Sequence, residues 1–364
     1  MVREPMRQLS QPVRLVMTGL IGAAAIGLGC GDASIGPDAA PARVLTATLQ
    51  VGSDGRSPAL GFTVPEGTRS VTVVARGAAD ALYGLAALTL ADGVDLVDLP
   101  AGSPSAAMQA SYLDEQIGQM PGDLYQSIRL GTFTQVYPYR PGQALPPGPA
   151  SLAIASDADG PVEVTVLMPP DDDAATLHLN LVVVSETQVV AAPPPWLPAL
   201  VAILAQADIT VVLDAVTTLT GTGLAAITDF SEPQERPTSQ SAQLPGLVAG
   251  NGSPALDVFL VDSLPAGVGG LSLGTPGPPI RGAYYYGVVV RPSSSDAATA
   301  EVIAHEVCHF LALQHIQNTG ISGTIYPDPL DDTTAGAPNL MAGSGTTLTP
   351  DQTFALLRSA LLAP

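Results

Sequence analysis

His305-Glu306-Val307-Cys308-His309-Phe310-Leu311-Ala312-Leu313-Gln314-His315 holds three of the four histidines in this 364-residue chain. On an α-helix, His305 and His309 lie roughly 40° apart around the axis and about 6 Å apart along it. Two imidazoles so placed can converge on one metal ion, and Glu306 stands one residue away, where its carboxylate can reach water at that ion. His315 cannot join them on a continuing helix, because it would stand about 15 Å along and about 80° round from His305. The helix is therefore expected to end near Leu311-Ala312 and the chain to turn back. That turn decides whether the site has two histidines or three.

Working outward, Ser293-Ser294-Ser295-Asp296 offers N-caps for a helix over 297–311 that carries the motif. Apolar runs at 177–184, 209–213, 256–261 and 282–290 read as strands. Pro193–Pro195 precede a helix-spaced stretch at 196–207, and Thr349-Pro350-Asp351-Gln352 opens a last helix to about 362. Strands alternating with helices make 175–364 an α/β domain. His178 falls at an alternating position in its strand and reads as a structural or surface histidine.

Residues 45–174 have a different texture. Short β-type runs at 44–51, 60–64, 70–75, 82–90, 126–136, 151–155 and 161–168 are separated by Gly, Pro and Asp clusters. Several strands at such spacing predict a β-sandwich, here an accessory domain, since its carboxylates are scattered and it contains no histidine. The expected fold class is thus mixed α+β: an N-terminal β-sandwich followed by an α/β domain with an active-site helix.

The bulk properties narrow the partners. A net charge of −20 argues against nucleic acid and anionic membrane surfaces, both of which need a basic face. The chain has no lysine, hence no P-loop, and no dinucleotide-binding G-x-G-x-x-G. Residues 1–29 read as an export signal: Arg3, Arg7 and Arg14 precede the apolar run Leu15 to Leu28, which is too short to span a membrane. The sequence Gly27-Leu28-Gly29-Cys30 resembles a bacterial lipoprotein signal with Cys30 as the lipidated residue; an ordinary secretory signal is the simpler alternative. Residues 30–44 then form a flexible tether. Neither Cys30 nor Cys308 is expected in an intramolecular disulfide.

With the third histidine six residues after the second, the sequence resembles the metzincin zinc metallopeptidases, whose pattern H-E-x-x-H-x-x-G-x-x-H maps onto His305, Glu306, His309, Ala312 and His315. Asn339-Leu340-Met341-Ala342-Gly343 is similar to the family's Met-turn. Asp328-Pro329-Leu330-Asp331-Asp332-Thr333 resembles a run in pappalysin-like members and related bacterial lipoproteins, as does 348–359. The resemblance spans about 177–364 and is specific between 301 and 359.

The resemblance implies a zinc-dependent endopeptidase. His305, His309 and His315 would hold Zn²⁺, Glu306 would act as general base, and Met341 would form an apolar floor. The alternative is a catalytically weak or inactive metzincin-like envelope lipoprotein that binds a protein. Ala312 stands where the family has glycine; a left-handed alanine costs about 1–2 kcal/mol, small beside a metal-binding energy of order 10 kcal/mol. Gly343 stands where some members place a tyrosine. A Cys308 thiolate ligand is disfavoured, because it points about 60° from His305 and about 100° from His309 around the helix. Asp328, Asp331 and Asp332 offer a Ca²⁺ reading beside that of a solvated acidic loop. Gly270, Leu271 and Ser272 look like an edge strand on which extended substrates align. The expected partner is a protein or peptide substrate, with membrane contact only through a lipid anchor. A monomer is expected, located in the bacterial cell envelope as an exported lipoprotein (outer membrane or periplasmic face) or secreted.

Overall fold

The computed structural model describes residues 43–98, 125–171, 175–188, 190–229, 239–248, 255–281, 283–319, 325–343 and 345–362. The expected signal segment, Cys30 and the tether up to residue 42 lie outside them. The described residues belong to one compact unit, Ala39–Pro364.

Two antiparallel sheets occupy the first half. One contains β1 (Arg43–Val51), β3 (Val71–Arg76), β6 (Tyr125–Arg129), β7 (Thr132–Tyr137) and β9 (Gly160–Met168), in the order β1-β9-β3-β7-β6. The other contains β2 (Leu60–Val64), β4 (Tyr83–Thr89), β5 (Asp95–Asp98) and β8 (Gly148–Ser156), in the order β2-β8-β4-β5. Alternate residues explain why they pack: Val71, Val73 and Ala75 of β3, with Val162, Val164 and Val166 of β9, join Leu85 of β4 and Leu152 and Ile154 of β8 in one apolar cluster. The run 126–136, expected as a single strand, is a hairpin. Arg129 pairs with Thr132 across Leu130-Gly131, and Gly131 takes φ 80, a conformation that glycine adopts without steric cost.

The second half is built on a mixed sheet. It contains β10 (Ala175–Val184), β11 (Ile209–Leu219), β12 (Leu256–Val261), β13 (Gly270–Ser272) and β14 (Val288–Val290), in the order β11-β10-β12-β14-β13. All neighbours are parallel except β13, which runs antiparallel to β14 and forms one edge. The near-continuous apolar strands are what a sheet covered on both faces requires. Leu177, Leu179, Leu181 and Val183 of β10, Val258 and Leu260 of β12, and Val288 and Val290 of β14 face one cluster with α1 (Leu197–Leu204) and the long helix that carries the motif. Val182, Val184, Phe259, Val261 and Val289 face a second cluster, with Leu244, Leu264 and Tyr285. The period of two sorts each strand between them. His178 projects from β10 to solvent, where its Nδ1 lies 2.8 Å from Asp214 Oδ1.

Two elements differ from the sequence reading. The strand expected over 282–290 shrinks to Val288–Val290, because Tyr285 takes φ 65 and sends its hydroxyl to the Leu130 carbonyl at 3.1 Å. The last helix stops early: it spans Pro350–Leu356, and a short 3-10 turn, Ala360–Leu362, follows. Between them the Arg358 carbonyl accepts the Ser70 hydroxyl at 2.6 Å, while Arg358 Nη1 donates to the Arg69 carbonyl at 2.9 Å. The two halves are thereby joined by hydrogen bonds.

Beneath the sheet, Asp257 is 1% exposed and accepts from Arg281 Nη2 at 2.9 Å and Asn180 Nδ2 at 3.1 Å. Burial pushes its carboxyl up, and those two partners pull it part of the way back. Replacing Arg281 by Met should cost about 3 kcal/mol in urea unfolding at pH 8, the usual loss when one partner of a buried pair is removed. The sign of the pH dependence follows from linkage. The folded state holds the Asp257 proton more tightly than the unfolded chain, so this group's contribution falls as pH rises through its folded pKa. The penalty in Arg281→Met should therefore shrink as pH falls and the carboxyl takes up its proton.

Candidate metal centre

The motif helix, α3 here after the short α2 (Gln240–Gln243), runs from Asp296 to Leu311. Ser295 caps it by accepting the Ala298 N–H, and Asp296 complements the positive end of its dipole. At the other end Ala312 adopts φ 126, ψ −1. Its N–H reaches the His309 carbonyl at 3.0 Å, and the Leu313 N–H reaches the Cys308 carbonyl at 2.8 Å. This is the Schellman pattern, with alanine in the place that glycine usually takes. The apolar contact expected of that motif pairs Cys308 with Leu313, both fully buried.

The reversal brings His315 back. The three Nε2 atoms of His305, His309 and His315 form a triangle with every side 3.1 Å. His305 Nδ1 donates to the Leu340 carbonyl at 2.8 Å, and His309 Nδ1 donates to the Leu313 carbonyl at 2.6 Å. A carbonyl can only accept, so each of these rings carries its proton on Nδ1 and turns a lone pair inward from Nε2. Two bare lone pairs 3.1 Å apart repel, and His315 can satisfy at most one of them. A cation satisfies all three. The corners of such a triangle lie about 1.8 Å from its centre, inside a zinc–nitrogen bond of about 2.0–2.1 Å. The three nitrogens are therefore spaced so that His305, His309 and His315 would hold one ion together.

Burial keeps the rings in the neutral form a metal needs. Desolvation lowers His305, against the Leu340 hydrogen bond and the nearby Glu301 charge. It lowers His309 strongly, with the other two imidazoles adding to the effect, and takes His315 down to about 4. Among the described residues these three are the only cluster of His, Cys, Asp or Glu able to hold a metal. Cys308 is not part of it: its thiol is fully buried, and burial pushes its pKa far up.

Asp328, Asp331 and Asp332 do not converge, so calcium has no support. Asp332 is spent on capping the last helix, α4 (Pro350–Leu356): it accepts from the Thr349 hydroxyl at 2.7 Å and the Asp351 N–H at 2.9 Å. Asp328 turns inward, where it accepts from the Thr333 hydroxyl, and burial pushes its carboxyl up to about 6. Asp331 is exposed.

The 3-10 turn Leu340–Ala342 bears directly on the site, since its Leu340 carbonyl fixes His305 and Met341 is fully buried in the same cluster. Asn339 holds the turn by accepting the Met341 N–H at 2.8 Å, and it exchanges two amide hydrogen bonds with Gln352 of α4. Gln352 also closes a capping box with Thr349.

Gly270, Leu271 and Ser272 form the edge strand β13, as expected, and the strand lies against α3 at Glu306. The Gly269 carbonyl and the Leu273 N–H both bond back towards β14, so alternation turns the peptide groups of Gly270 and Ser272 to the open edge. A Cβ on Gly270 would stand 2.6 Å from Glu306 Cγ and 2.8 Å from its Oε1. The letters Gly270-Leu271-Ser272-Leu273-Gly274 also match the G-x-S-x-G nucleophile pattern. Ser272, however, sits on an edge strand, where its hydroxyl donates to the Gly274 carbonyl at 2.6 Å.

The acceptor roles of Leu340 and Leu313 escape a sequence reading because backbone carbonyls carry no residue-type signature. The pairing of Gly270 with Glu306 could have been sought as a glycine facing the motif helix.

No family model matches the chain, and no curated protein matches it. Among solved structures, metalloproteinase-II from Bacteroides fragilis is similar at TM-score 0.33 and 14% identity over 57% of this chain, which spans 63% of that protein's length. Archaemetzincin from Methanopyrus kandleri is similar at TM-score 0.28 and 12% identity, covering 50% of this chain and 88% of that one. The three-histidine cluster fits zinc by its own geometry.

Replacing Ala312 by Gly should remove the cost of a left-handed alanine and stabilise the metal-free protein by about 1 kcal/mol. Thermal unfolding in chelator checks this; a destabilised variant would mean that the turn is held by something other than backbone strain relief.

Proposed function

We propose that the chain is a zinc-dependent endopeptidase of the metzincin type, in its pappalysin-like branch. The observation that carries this reading is the Nε2 triangle, with two of its rings locked in the ligand tautomer by carbonyls. His305, His309 and His315 would hold the ion. When bound, Zn²⁺ supplies Lewis acidity: it polarises a carbonyl and lowers the pKa of water at the site to about 7.

The chain's own groups would do the rest. Glu306, 7% exposed and directed at the edge strand, would accept a proton from the attacking water and deliver it to the leaving amine. The outward peptide groups of Gly270 and Ser272 would pair with an extended protein or peptide substrate and align its scissile bond beside Glu306. The turn at Leu340–Ala342 would serve as the Met-turn, with Met341 as the floor. In the same reading, the two sheets of the first half form an accessory β-sandwich over 45–174, the catalytic domain spans 175–364, and Cys30 anchors an exported lipoprotein in a bacterial envelope.

The purified protein should bind one equivalent of zinc and cleave a denatured protein, and chelator should abolish the cleavage. Glu306→Gln should keep its zinc and lose at least about 10²-fold in kcat, the usual worth of a positioned acid–base group. Full zinc occupancy without cleavage across a broad peptide library would favour the binding-only alternative. Gly270→Ala makes a separate demand. Its new methyl must displace Glu306, so kcat should fall about tenfold or more with zinc affinity unchanged, while the edge strand still forms. Unaltered turnover in that variant would show that Glu306 acts from another position.

A further inference from the structure

The ring of His305 takes its orientation from a main-chain oxygen, and that oxygen belongs to a turn of only three residues, Leu340–Ala342. The Leu340 carbonyl accepts His305 Nδ1–H at 2.8 Å and the Gly343 N–H at 3.1 Å, so both of its lone pairs are used. A single 3-10 turn closes few hydrogen bonds, and their geometry is poorer than in an α-helix. Where the Leu340 oxygen points therefore depends on groups outside the turn.

The structure supplies them from the start of α4. Asn339 Oδ1 accepts the Met341 N–H at 2.8 Å, and the Leu340 N–H donates to the Thr347 carbonyl at 2.9 Å. Asn339 is fixed in turn by a reciprocal amide pair: its Nδ2 donates to Gln352 Oε1 at 2.8 Å, and Gln352 Nε2 donates to Asn339 Oδ1 at 3.2 Å. Gln352 Oε1 also accepts the Thr349 N–H at 3.0 Å, which closes the capping box. Capping needs only an acceptor, and a glutamate would serve it as well. The donor half of the Gln352 amide goes to Asn339, and a carboxylate could not supply it. Gln352 is 0% exposed and Asn339 3%, so bulk water cannot stand in for either partner.

We propose that Gln352 is a positioning residue of the metal centre: through Asn339 it fixes the turn whose Leu340 carbonyl holds the His305 proton on Nδ1 and leaves Nε2 bare. The proposal rests on the reading of the triangle as a zinc site, not on peptide cleavage. Without that carbonyl in place, the ring can carry its proton on Nε2, and the proton must leave before that nitrogen can ligate.

The test uses the full chain and has two readouts. Gln352→Met keeps the length of the side chain and removes both halves of the amide. Zinc affinity, measured against a chromophoric chelator, should fall about tenfold, the lower end of what groups beyond the ligands contribute. In the metal-free protein, long-range ¹H–¹⁵N spectra should show the His305 proton on Nδ1 in the wild type and redistributed towards Nε2 in the variant. Arg281→Met, which disturbs a buried pair elsewhere, should leave both readouts as in the wild type. Wild-type affinity and an unchanged His305 spectrum in Gln352→Met would overturn the proposal. So would equal losses in Arg281→Met, which would mark the effect as general destabilisation. If Gln352→Met does not fold, Gln352→Glu decides by the same measurements: it keeps the Oε1 acceptor, loses the Nε2 donor, and should shift both readouts in the same direction. Failure of the zinc reading would appear separately, as a wild-type protein that binds no zinc while its His305 spectrum still responds to Gln352→Met. Failure of the peptidase reading would appear as zinc bound normally with no cleavage.

Discussion

At Ala312 the backbone leaves its helix with φ 126 and folds back, and the hydrogen bonds to Cys308 and His309 that close the turn bring His315 level with His305. The chain accepts a strain of about 1–2 kcal/mol at that residue, and two effects offset it. Leu313 is driven into the core at 0% exposure, and a metal held by the three imidazoles would contribute far more than the strain removes. A helix that simply ran on would carry His315 away from the site.

The imidazoles are only half of the centre. Their orientation is set by main-chain oxygens: Leu313 is supplied by the turn, and Leu340 by a second turn fastened to the last helix through Asn339 and Gln352. Desolvation also lowers the pKa of every ring and favours its neutral form. The result is a pocket of lone pairs poor in protons, a local environment that a divalent cation satisfies and water alone does not.

How much of this could be read from the residues varied with the range of the interaction concerned. The motif helix and its end at Leu311 follow from local spacing, the edge strand at Gly270–Ser272 from the family resemblance, and the structure has all three elements. The hairpin at Leu130-Gly131 was missed because Gly131 interrupts an otherwise strand-like run, and a single glycine inside such a run also fits a bulge. Asp332 looked like a metal ligand by composition, but the structure spends it on a helix N-terminus. Its role depends on where α4 comes to lie, which no local pattern specifies. Tyr139 was not legible at all. A tyrosine after a strand is unremarkable until folding delivers it to the core cluster that also holds Leu313 and Ile316.

The amide exchange between Asn339 and Gln352 has a consequence for how the protein comes into being. The carbonyl that orients His305 belongs to a turn that Gln352 holds, so the histidine triangle depends on a residue far along the order of synthesis. A ribosome delivers the motif helix first and the brace for His305 after that. While the chain is still being made, the motif can exist as a helix, but the centre is incomplete until Gln352 has emerged. A fragment that ends before that point carries all three histidines but lacks this brace on the turn that orients His305.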